Sequence, residues 1–384
     1  MNRKTDGRLT FTVLSISLLT VMAGAAIAPA LGLIRDHFST EPDMLVQLII
    51  SLPALFIILT NLTFSKLCSL FKTRTLALTG LILYIIAGAG CFLVDNINFI
   101  LALRALLGVS VGMIMPLSTG LLAYYFPPDR QASLMGLSAA MNQMGGVVAT
   151  LLAGLLANFS WNYAFLVYLI AILAIILVLM FLPNDKLGGG KGPSLKLLKR
   201  FHPSVVGMFL VMMLFFIYPT RFAISAHYGT NLSGNAITLI MVGLDVVAFI
   251  IGLFFGKMMH GCRYAMKYIA PLGFIIGYAL LSLGSSQPLL LAGSAVIGIA
   301  NGIGVPYLNT IAAMKAGREA ASTVMPLLSA ALYLGQFMSP LLVTPVGNAL
   351  FGPDDLLAPF KVGAIIAIVY LIQAFMTRNK QVVE

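Results

Sequence analysis

Apolar runs of about 20 residues recur along the whole chain, and short polar segments separate them. A helix needs about 20 consecutive apolar residues to cross the hydrocarbon core of a bilayer, whereas a membrane barrel shows strands of about ten residues with alternating polarity. The runs therefore predict membrane-spanning helices. Twelve are predicted, over residues 9–31, 45–64, 75–94, 99–123, 132–157, 161–182, 205–226, 236–256, 268–284, 288–314, 322–346 and 358–376.

Composition agrees with this pattern, because 60% of the residues are hydrophobic and only 9% are charged. Such a balance excludes an ordinary water-soluble core and leaves few charges to place. We therefore predict an all-α polytopic membrane protein whose first partner is the lipid bilayer itself.

The net charge of +11 alone is compatible with nucleic-acid binding, but the distribution of the basic residues along the chain argues against it. With the N-terminus inside, all but four of the 23 basic residues fall in inner segments, the exceptions being Arg35, Lys361, Arg104 and Arg221. An excess of Lys and Arg in the cytoplasmic loops is the positive-inside rule. We therefore predict a protein of the cell inner membrane, with both termini in the cytoplasm and no nucleic-acid partner.

The second half of the chain repeats special residues of the first half at a shift of 190 positions. A single glycine match carries little weight in a chain with 36 glycines, but one ungapped register serves the first, fourth and fifth helices of each half. The matches are Pro29 with Pro219, His37-Phe38 with His227-Tyr228, Gly108 with Gly298, Gly112 with Gly302, Pro116 with Pro306 and Gly145 with Gly335.

A polar stretch at 183–203 separates the halves; it contains Gly188-Gly189-Gly190 and a basic run that ends at Arg200. This composition is typical of a linker. The predicted organisation is an N-terminal six-helix bundle (1–182), a cytoplasmic linker (183–203) and a C-terminal six-helix bundle (204–384). Parallel repeats of this kind are typical of secondary transporters, whose substrate site usually lies between the halves near the bilayer midplane.

Over essentially its whole length the chain resembles the major facilitator superfamily. The loop after the second helix should carry that family's Gly-x-Leu-x-Asp-Arg-x-Gly-Arg-Arg motif. Here it reads Ser65-Lys66-Leu67-Cys68-Ser69-Leu70-Phe71-Lys72-Thr73-Arg74, so the leucine and a basic end are present while the acidic residue is missing. In the family this loop helps to latch the two halves together, and this departure puts a carboxylate-centred latch in doubt.

The fourth and fifth predicted helices resemble the drug/proton antiporter branch of that family. Arg104, Gly108 and Gly112 match its Arg-x-x-x-Gly-x-x-x-Gly core, and Gly145 and Gly154 resemble its glycine-rich antiporter motif. Thr150 stands where that motif has a proline. The resemblance implies twelve helices in two pseudo-repeats, with these four glycines as a helix-packing motif.

Asp245, Arg104 and Arg221 are the three charges that lie inside apolar runs. Such charges are costly in hydrocarbon and mark substrate or ion pathways by default. Asp245 lies about ten residues into the eighth predicted helix, so at 1.5 Å per residue it is near the midplane. Burial and neighbouring charges act on a carboxylate in opposite directions, which suits a group that loads and releases a proton. The alternative is a structural partner of an arginine.

Arg104 lies about six residues into the fourth predicted helix, with Gly108 and Gly112 following at helical spacing. The matching arginine of the antiporter branch is linked to proton coupling, so the resemblance implies that Arg104 assists Asp245. Alternatively, backbone carbonyls hold Arg104 and it stiffens a helix pair.

Arg221 follows Pro219 on the seventh predicted helix and shares one face with Tyr218. We expect the proline to open the helix toward a cavity, where Arg221 and Tyr218 bind substrate. Alternatively, Arg221 snorkels to the surface. Neutral polar residues predicted to line the cavity are Asn142, Gln143, Tyr333, Gln336 and Asn301. Their commoner use is hydrogen bonding between helices.

No enzyme is predicted, because the sequence has no Gly-x-x-x-x-Gly-Lys-Ser/Thr loop for ATP, and Cys68, Cys91 and Cys262 lack metal-ligand spacing. No cofactor or metal is expected, and the proton gradient is the expected energy source. We predict a monomeric secondary transporter that works by alternating access and exports small apolar or amphipathic compounds. The alternative is an organic-anion carrier in which Arg104 and Arg221 clamp a carboxylate.

Overall fold

A computed structural model describes residues 3–126, 128–186, 195–262, 265–283 and 286–377. Within these ranges the chain is helical and contains no strand, which confirms the all-α class. The α-helices are α1 (Arg3–Ala25), α2 (Leu31–His37), α3 (Asp43–Leu70), α4 (Thr73–Ala89), α5 (Ile97–Tyr125), α6 (Pro128–Ala157), α7 (Ala171–Phe181), α8 (Leu195–Gly229), α9 (Gly234–Cys262), α10 (Met266–Ser282), α11 (Gln287–Phe351) and α12 (Ala358–Met376).

Eleven helical stretches in the described part of the chain are long and apolar enough to cross a membrane. The helix Met266–Ser282 is apolar as well but has only 17 residues, and it corresponds to the predicted helix at 268–284. Two predicted helices contain 3-10 turns: Ala28–Ala30 lies between α1 and α2, and Trp161–Ile170 precedes α7.

Helix α11 differs from the sequence prediction because it joins two predicted helices, 288–314 and 322–346, into one helix of 65 residues. It contains two membrane-crossing stretches, Gln287–Ala312 and Val324–Phe351. The predicted loop between them is helical backbone. Ala, Lys, Arg and Glu dominate that segment, and these are strong helix formers.

The chain divides into two compact units, Met1–Gly192 and Pro193–Glu384, which are described separately below. In the first unit α5 packs against α3, α4 and α1, and α1 also packs against α6. In the second unit α11 packs against α8, α9 and α10, and α12 packs against α10. Helix α8 begins at Leu195, inside the segment that the sequence predicts to be the linker.

Glycines in the first unit mark the points where helices approach most closely. A Cβ placed at Gly145 of α6 would collide with the Leu18 carbonyl oxygen of α1. At Gly108 it would collide with the Pro53 carbonyl oxygen of α3. Gly112 faces the next turn of α3, and Gly154 is buried on α6. Small residues of this kind let helix backbones approach closely in membranes.

The second unit repeats these approaches at the register counterparts of the same glycines. Gly335 faces the Phe209 carbonyl oxygen of α8, and Gly298 faces the Leu244 carbonyl oxygen of α9. The glycines of the two units are 190 positions apart, but their partner carbonyls are 191 apart, as with Leu18 and Phe209. The spacing of the repeat is therefore 190 residues in the helices that carry the glycines and 191 residues in the helices that supply the facing carbonyl oxygens.

A tyrosine and a glycine pack together in each unit, with the helices that supply them exchanged. In the first unit Tyr168 lies against Gly88 of α4, and its hydroxyl donates to the Ala23 carbonyl oxygen at 3.2 Å. In the second unit Tyr278 of α10 lies against Gly363 of α12, and its hydroxyl donates to the Leu214 carbonyl oxygen. Both tyrosines thus hydrogen-bond to the first long helix of their own unit.

Candidate functional site

Asp245 is half-buried near the middle of α9, whose span Gly234–Met259 is long enough to cross the membrane. Its carboxylate lies within electrostatic range of the Tyr218 hydroxyl of α8. That hydroxyl donates to the Ser294 hydroxyl of α11 at 2.7 Å, and the Tyr218 ring stacks on Phe222. A carboxylate beside buried hydroxyl groups is an arrangement that can hold a proton within a spanning helix.

Ser294 is part of this cluster and was not among the residues predicted from the sequence. A serine in an apolar run carries no charge and usually bonds within its own helix. The repeat offers a signal, however, because Ser294 is 190 positions after Arg104. In each unit, this register position hydrogen-bonds to a tyrosine: Arg104 to Tyr168 and Ser294 to Tyr218.

Arg104 of α5 is fully buried inside the first unit. Its Nη1 donates to the Tyr168 hydroxyl at 2.8 Å, and its guanidinium lies 4.8 Å from the Phe165 ring centroid and 4.9 Å from that of Tyr168. Among the described residues, Nε and Nη2 have no hydrogen-bond partner, and no ion pair includes Arg104. Aromatic faces therefore stabilise the charge by cation–π attraction, which is strongest where water is excluded.

Arg104 and Asp245 belong to different units, so their joint role in proton coupling stays a prediction. The same holds for a substrate site shared by Arg104 and Arg221. Within the first unit, the contacts of Arg104 agree with the alternative that it has a structural role between helices. Aromatic side chains hold its guanidinium, whereas backbone carbonyls were expected to hold it.

Arg221 of α8 is only 8% exposed, so its side chain is buried within the second unit. Its Nη2 donates to the Thr344 hydroxyl of α11 at 3.2 Å. One turn further along α8, Ser225 donates to the Leu356 carbonyl oxygen at 2.8 Å. Two long-range contacts thus fix this face of α8 within the second unit.

The expected opening of the helix at Pro219 is wrong, because α8 runs unbroken from Leu195 to Gly229. Proline removes one backbone hydrogen bond, and side-chain hydroxyl groups nearby can satisfy carbonyls in a membrane helix. The carbonyl oxygen that loses its helical donor at Pro219 is that of Phe215, four residues earlier. Thr220 donates to the neighbouring Phe216 carbonyl oxygen at 2.6 Å. The helical backbone continues past the proline.

The neutral polar residues fall into two groups, one in each unit. In the first unit Asn142 accepts a hydrogen bond from Thr20 at 3.0 Å, and the neighbouring Gln143 is half-buried. In the second unit Tyr333 is buried and Gln336 is half-buried on α11. The Asn301 Oδ1 atom is buried and accepts no hydrogen bond from a described residue, which leaves an acceptor for a ligand.

Comparison with known proteins identifies the fold. The Major Facilitator Superfamily profile matches residues 13–340. The chain is 26% identical over 208 residues to MdtD of Escherichia coli O127:H6, a protein named for multidrug resistance, which covers 54% of the chain and 41% of MdtD. It is 26% identical over 251 residues to the "Uncharacterized transporter YebQ" of Escherichia coli K12, which covers 65% of the chain and 51% of YebQ. The chain thus spans about half, or less, of the length of these relatives.

A crystal structure of a bacterial homologue of the human lysosomal transporter Spinster has the same architecture. The two chains superpose with a TM-score of 0.78 at 14% identity, over 100% of this chain and 98% of that one. This similarity concerns the fold alone. Because the helical fold agrees and the profile match extends over most of the sequence, the chain belongs to the major facilitator superfamily.

Proposed function

We propose that the chain is a secondary active transporter that exports small apolar or amphipathic compounds in exchange for protons, by alternating access. The observation that carries this proposal is the half-buried carboxylate of Asp245, midway along a spanning helix and beside the Tyr218 hydroxyl. The motifs of the antiporter branch and the similarity to MdtD support export. The proposal further places the chain, as a monomer, in the cell inner membrane with both termini in the cytoplasm.

In this mechanism Asp245 carries the proton. The neutral, protonated form tolerates an apolar surrounding, whereas the carboxylate is favoured where the cavity opens to water. Protonation therefore biases the equilibrium between the two openings of the cavity, as alternating access requires. Tyr218 and Ser294 position the carboxyl group, and Arg104 assists through its place in the antiporter motif. Asn301, Tyr333, Gln336, Asn142 and Gln143 line the substrate path.

The test is proton movement in proteoliposomes of the purified protein, followed with an internal pH dye. The added compounds are lipophilic cations, neutral compounds and organic carboxylates. Asp245→Asn is compared with Asp354→Asn, which removes the same charge from an exposed position outside the helices. Proton flux that cations or neutral compounds trigger, and that only Asp245→Asn abolishes, supports the proposal. Full gradient-driven flux in Asp245→Asn removes Asp245 from the mechanism.

A second candidate function is organic-anion transport, and the burial of Arg221 favours it. A guanidinium fixed by Thr344 in an apolar bundle is suited to binding a carboxylate. Flux that only carboxylates trigger, with Arg221→Ala weakening anion transport far more than cation transport, supports this candidate. Equal loss of both kinds of substrate points to a folding defect instead.

A further inference from the structure

A cavity lies at one end of the second unit, where α8 and α10 begin and α12 ends. Its volume is about 20 Å³, and it is open to the surroundings on one side. The site is distinct from the Asp245 cluster, because none of its described lining residues belongs to that cluster. The residues that line it include Pro203, Ser204, Lys267, Tyr307, Tyr370 and Gln373.

The lining is cationic and rich in hydroxyl groups. Of its described residues Lys267 is charged and none is acidic, while Ser204, Tyr307 and Tyr370 supply hydroxyl groups. The Gln373 amide donates to the Pro203 carbonyl oxygen at 2.8 Å and so fixes one wall. A positive charge and several hydroxyl groups without a counter-charge form a site for an anion.

Lys267 is held in place before any ligand arrives. Its Nζ donates to the Thr377 carbonyl oxygen at 3.0 Å and lies 4.8 Å from the Tyr268 ring centroid. That hydrogen bond uses one of three ammonium donors, and no ion pair among the described residues includes Lys267. The remaining donors are available to an anion at the cavity mouth.

The position of the cavity relative to the membrane points to the source of the anion. The apolar helix α10 starts at Met266 and α12 ends at Met376, so the cavity lies where spanning helices leave the hydrocarbon, at the level of lipid phosphates. Beside it, the Phe375 side chain is 64% exposed and that of Met376 is 80% exposed. These apolar side chains offer contacts to acyl chains that free phosphate does not need.

We propose that this cavity binds the phosphate of an anionic phospholipid headgroup. Lys267 supplies the charge, and the hydroxyl groups of the lining supply further hydrogen bonds. Basic pockets between membrane helices are suited to such headgroups. The inference rests on the membrane location of the chain and is independent of proton coupling and of the direction of transport.

The test is a lipid titration of the intact, detergent-purified protein, read by native mass spectrometry, with phosphatidylglycerol as probe and phosphatidylcholine as zwitterionic control. We expect Lys267→Gln to weaken phosphatidylglycerol binding roughly fivefold, as expected for the loss of one cation near a membrane surface. Lys257→Gln, at an exposed position on α9, is the matched control and should leave binding unchanged. Lys267→Arg keeps the charge and should retain binding, which separates charge loss from misfolding.

Three outcomes would overturn the proposal. Equal binding by Lys267→Gln and Lys257→Gln would show that the cavity does not hold the lipid. Displacement of phosphatidylglycerol by millimolar inorganic phosphate would assign the site to a free anion. Equal affinity for phosphatidylcholine would likewise remove the role of net charge.

Discussion

At the residue scale, the same position of the 190-residue repeat carries different chemistry in the two units. Arg104 is a buried cation surrounded by the Phe165 and Tyr168 rings, while its counterpart Ser294 accepts a hydrogen bond from Tyr218 beside Asp245. In the first unit the buried charge, Arg104, lies at the repeat position itself. In the second unit the charge is Asp245, which lies on α9, next to the helix that carries Ser294. The partner tyrosine is what the two arrangements share.

The Tyr168 hydroxyl should contribute more to stability than an ordinary buried hydroxyl, because it bonds to a charged group. Tyr168→Phe removes the contacts to Arg104 and to the Ala23 carbonyl oxygen and should destabilise the protein by about 2 kcal/mol. Tyr84→Phe removes one contact, to the Leu19 carbonyl oxygen, and should cost about 1 kcal/mol. Denaturation in detergent, followed by tryptophan fluorescence, measures both. Equal effects would show that the Arg104 contact contributes nothing.

Neighbouring glycines on α6 make a second comparison at this scale. Gly145→Ala places a Cβ against the Leu18 carbonyl oxygen, and such overpacking should cost about 1–3 kcal/mol. At Gly146 a Cβ meets only Val21 Cγ1 at 3.5 Å, an ordinary contact, so Gly146→Ala should be neutral or stabilising. Thermal unfolding midpoints of both variants test this, and equal midpoints would contradict close packing at Gly145.

At the element scale, the start of α12 depends on a carboxylate outside the membrane-spanning segments. Asp355 forms an ion pair with Lys361 at 2.6 Å and accepts a hydrogen bond from the Leu357 backbone N–H at 2.9 Å. Burial alone raises the pKa of Asp355, but these hydrogen bonds outweigh it and hold the pKa below its ordinary value of 3.8. The charged form is therefore favoured by folding.

A lowered pKa in the folded protein implies stability that is present above pH 3.8 and lost as the pH falls through the folded value. Asp355→Asn keeps an acceptor for the Leu357 N–H but removes the charge paired with Lys361, so it should lower the free energy of unfolding at pH 7 by up to about 1 kcal/mol. Its difference from the unchanged protein should shrink below pH 3.8. Asp354→Asn, at the exposed neighbouring position, is the control. A difference that persists unchanged at low pH would contradict this role of the Asp355 charge.

The bounds of a helix were predictable where an apolar run determines its length. The type of helix and the ends of polar segments were less predictable. The spans of α3, α5 and α9 follow from their apolar runs. The run at 161–182 is apolar throughout and has no period, so it could not distinguish the 3-10 turns of Trp161–Ile170 from α-helix. The polar segment around Lys315 looked like a loop, yet its helix formers continue α11.

At the scale of the whole molecule, the orientation predicted from the basic residues can be tested by labelling. Asp95 and Lys72 are exposed and lie at opposite ends of α4 and its 3-10 extension. In a chain whose native cysteines are replaced, a membrane-impermeant maleimide added to intact cells should label Asp95→Cys and spare Lys72→Cys. The reverse pattern would place the N-terminus outside.

The chemistry of the site was only partly predictable at this scale. Charge in an apolar run identified Arg104, Asp245 and Arg221, because such charges are rare. Their partners could not be found, since Tyr168, Ser294 and Thr344 come from distant helices and resemble ordinary membrane residues in sequence. The anionic-lipid cavity around Lys267 could not be predicted from the sequence for the same reason, because its walls come from four helices.

The exchanged tyrosine–glycine pairs, Tyr168 with Gly88 and Tyr278 with Gly363, bear on the history of the duplication. Each unit has two aromatic rings at this contact, Tyr84 with Tyr168 in the first and Tyr278 with Phe360 in the second. The glycine makes room for one tyrosine ring, and a Cβ there would collide with that ring. Because Gly88 and Gly363 lie on helices that do not correspond in the repeat, they do not descend from one position of the duplicated unit. Each half therefore had to fit its own tyrosine–glycine pair after the duplication.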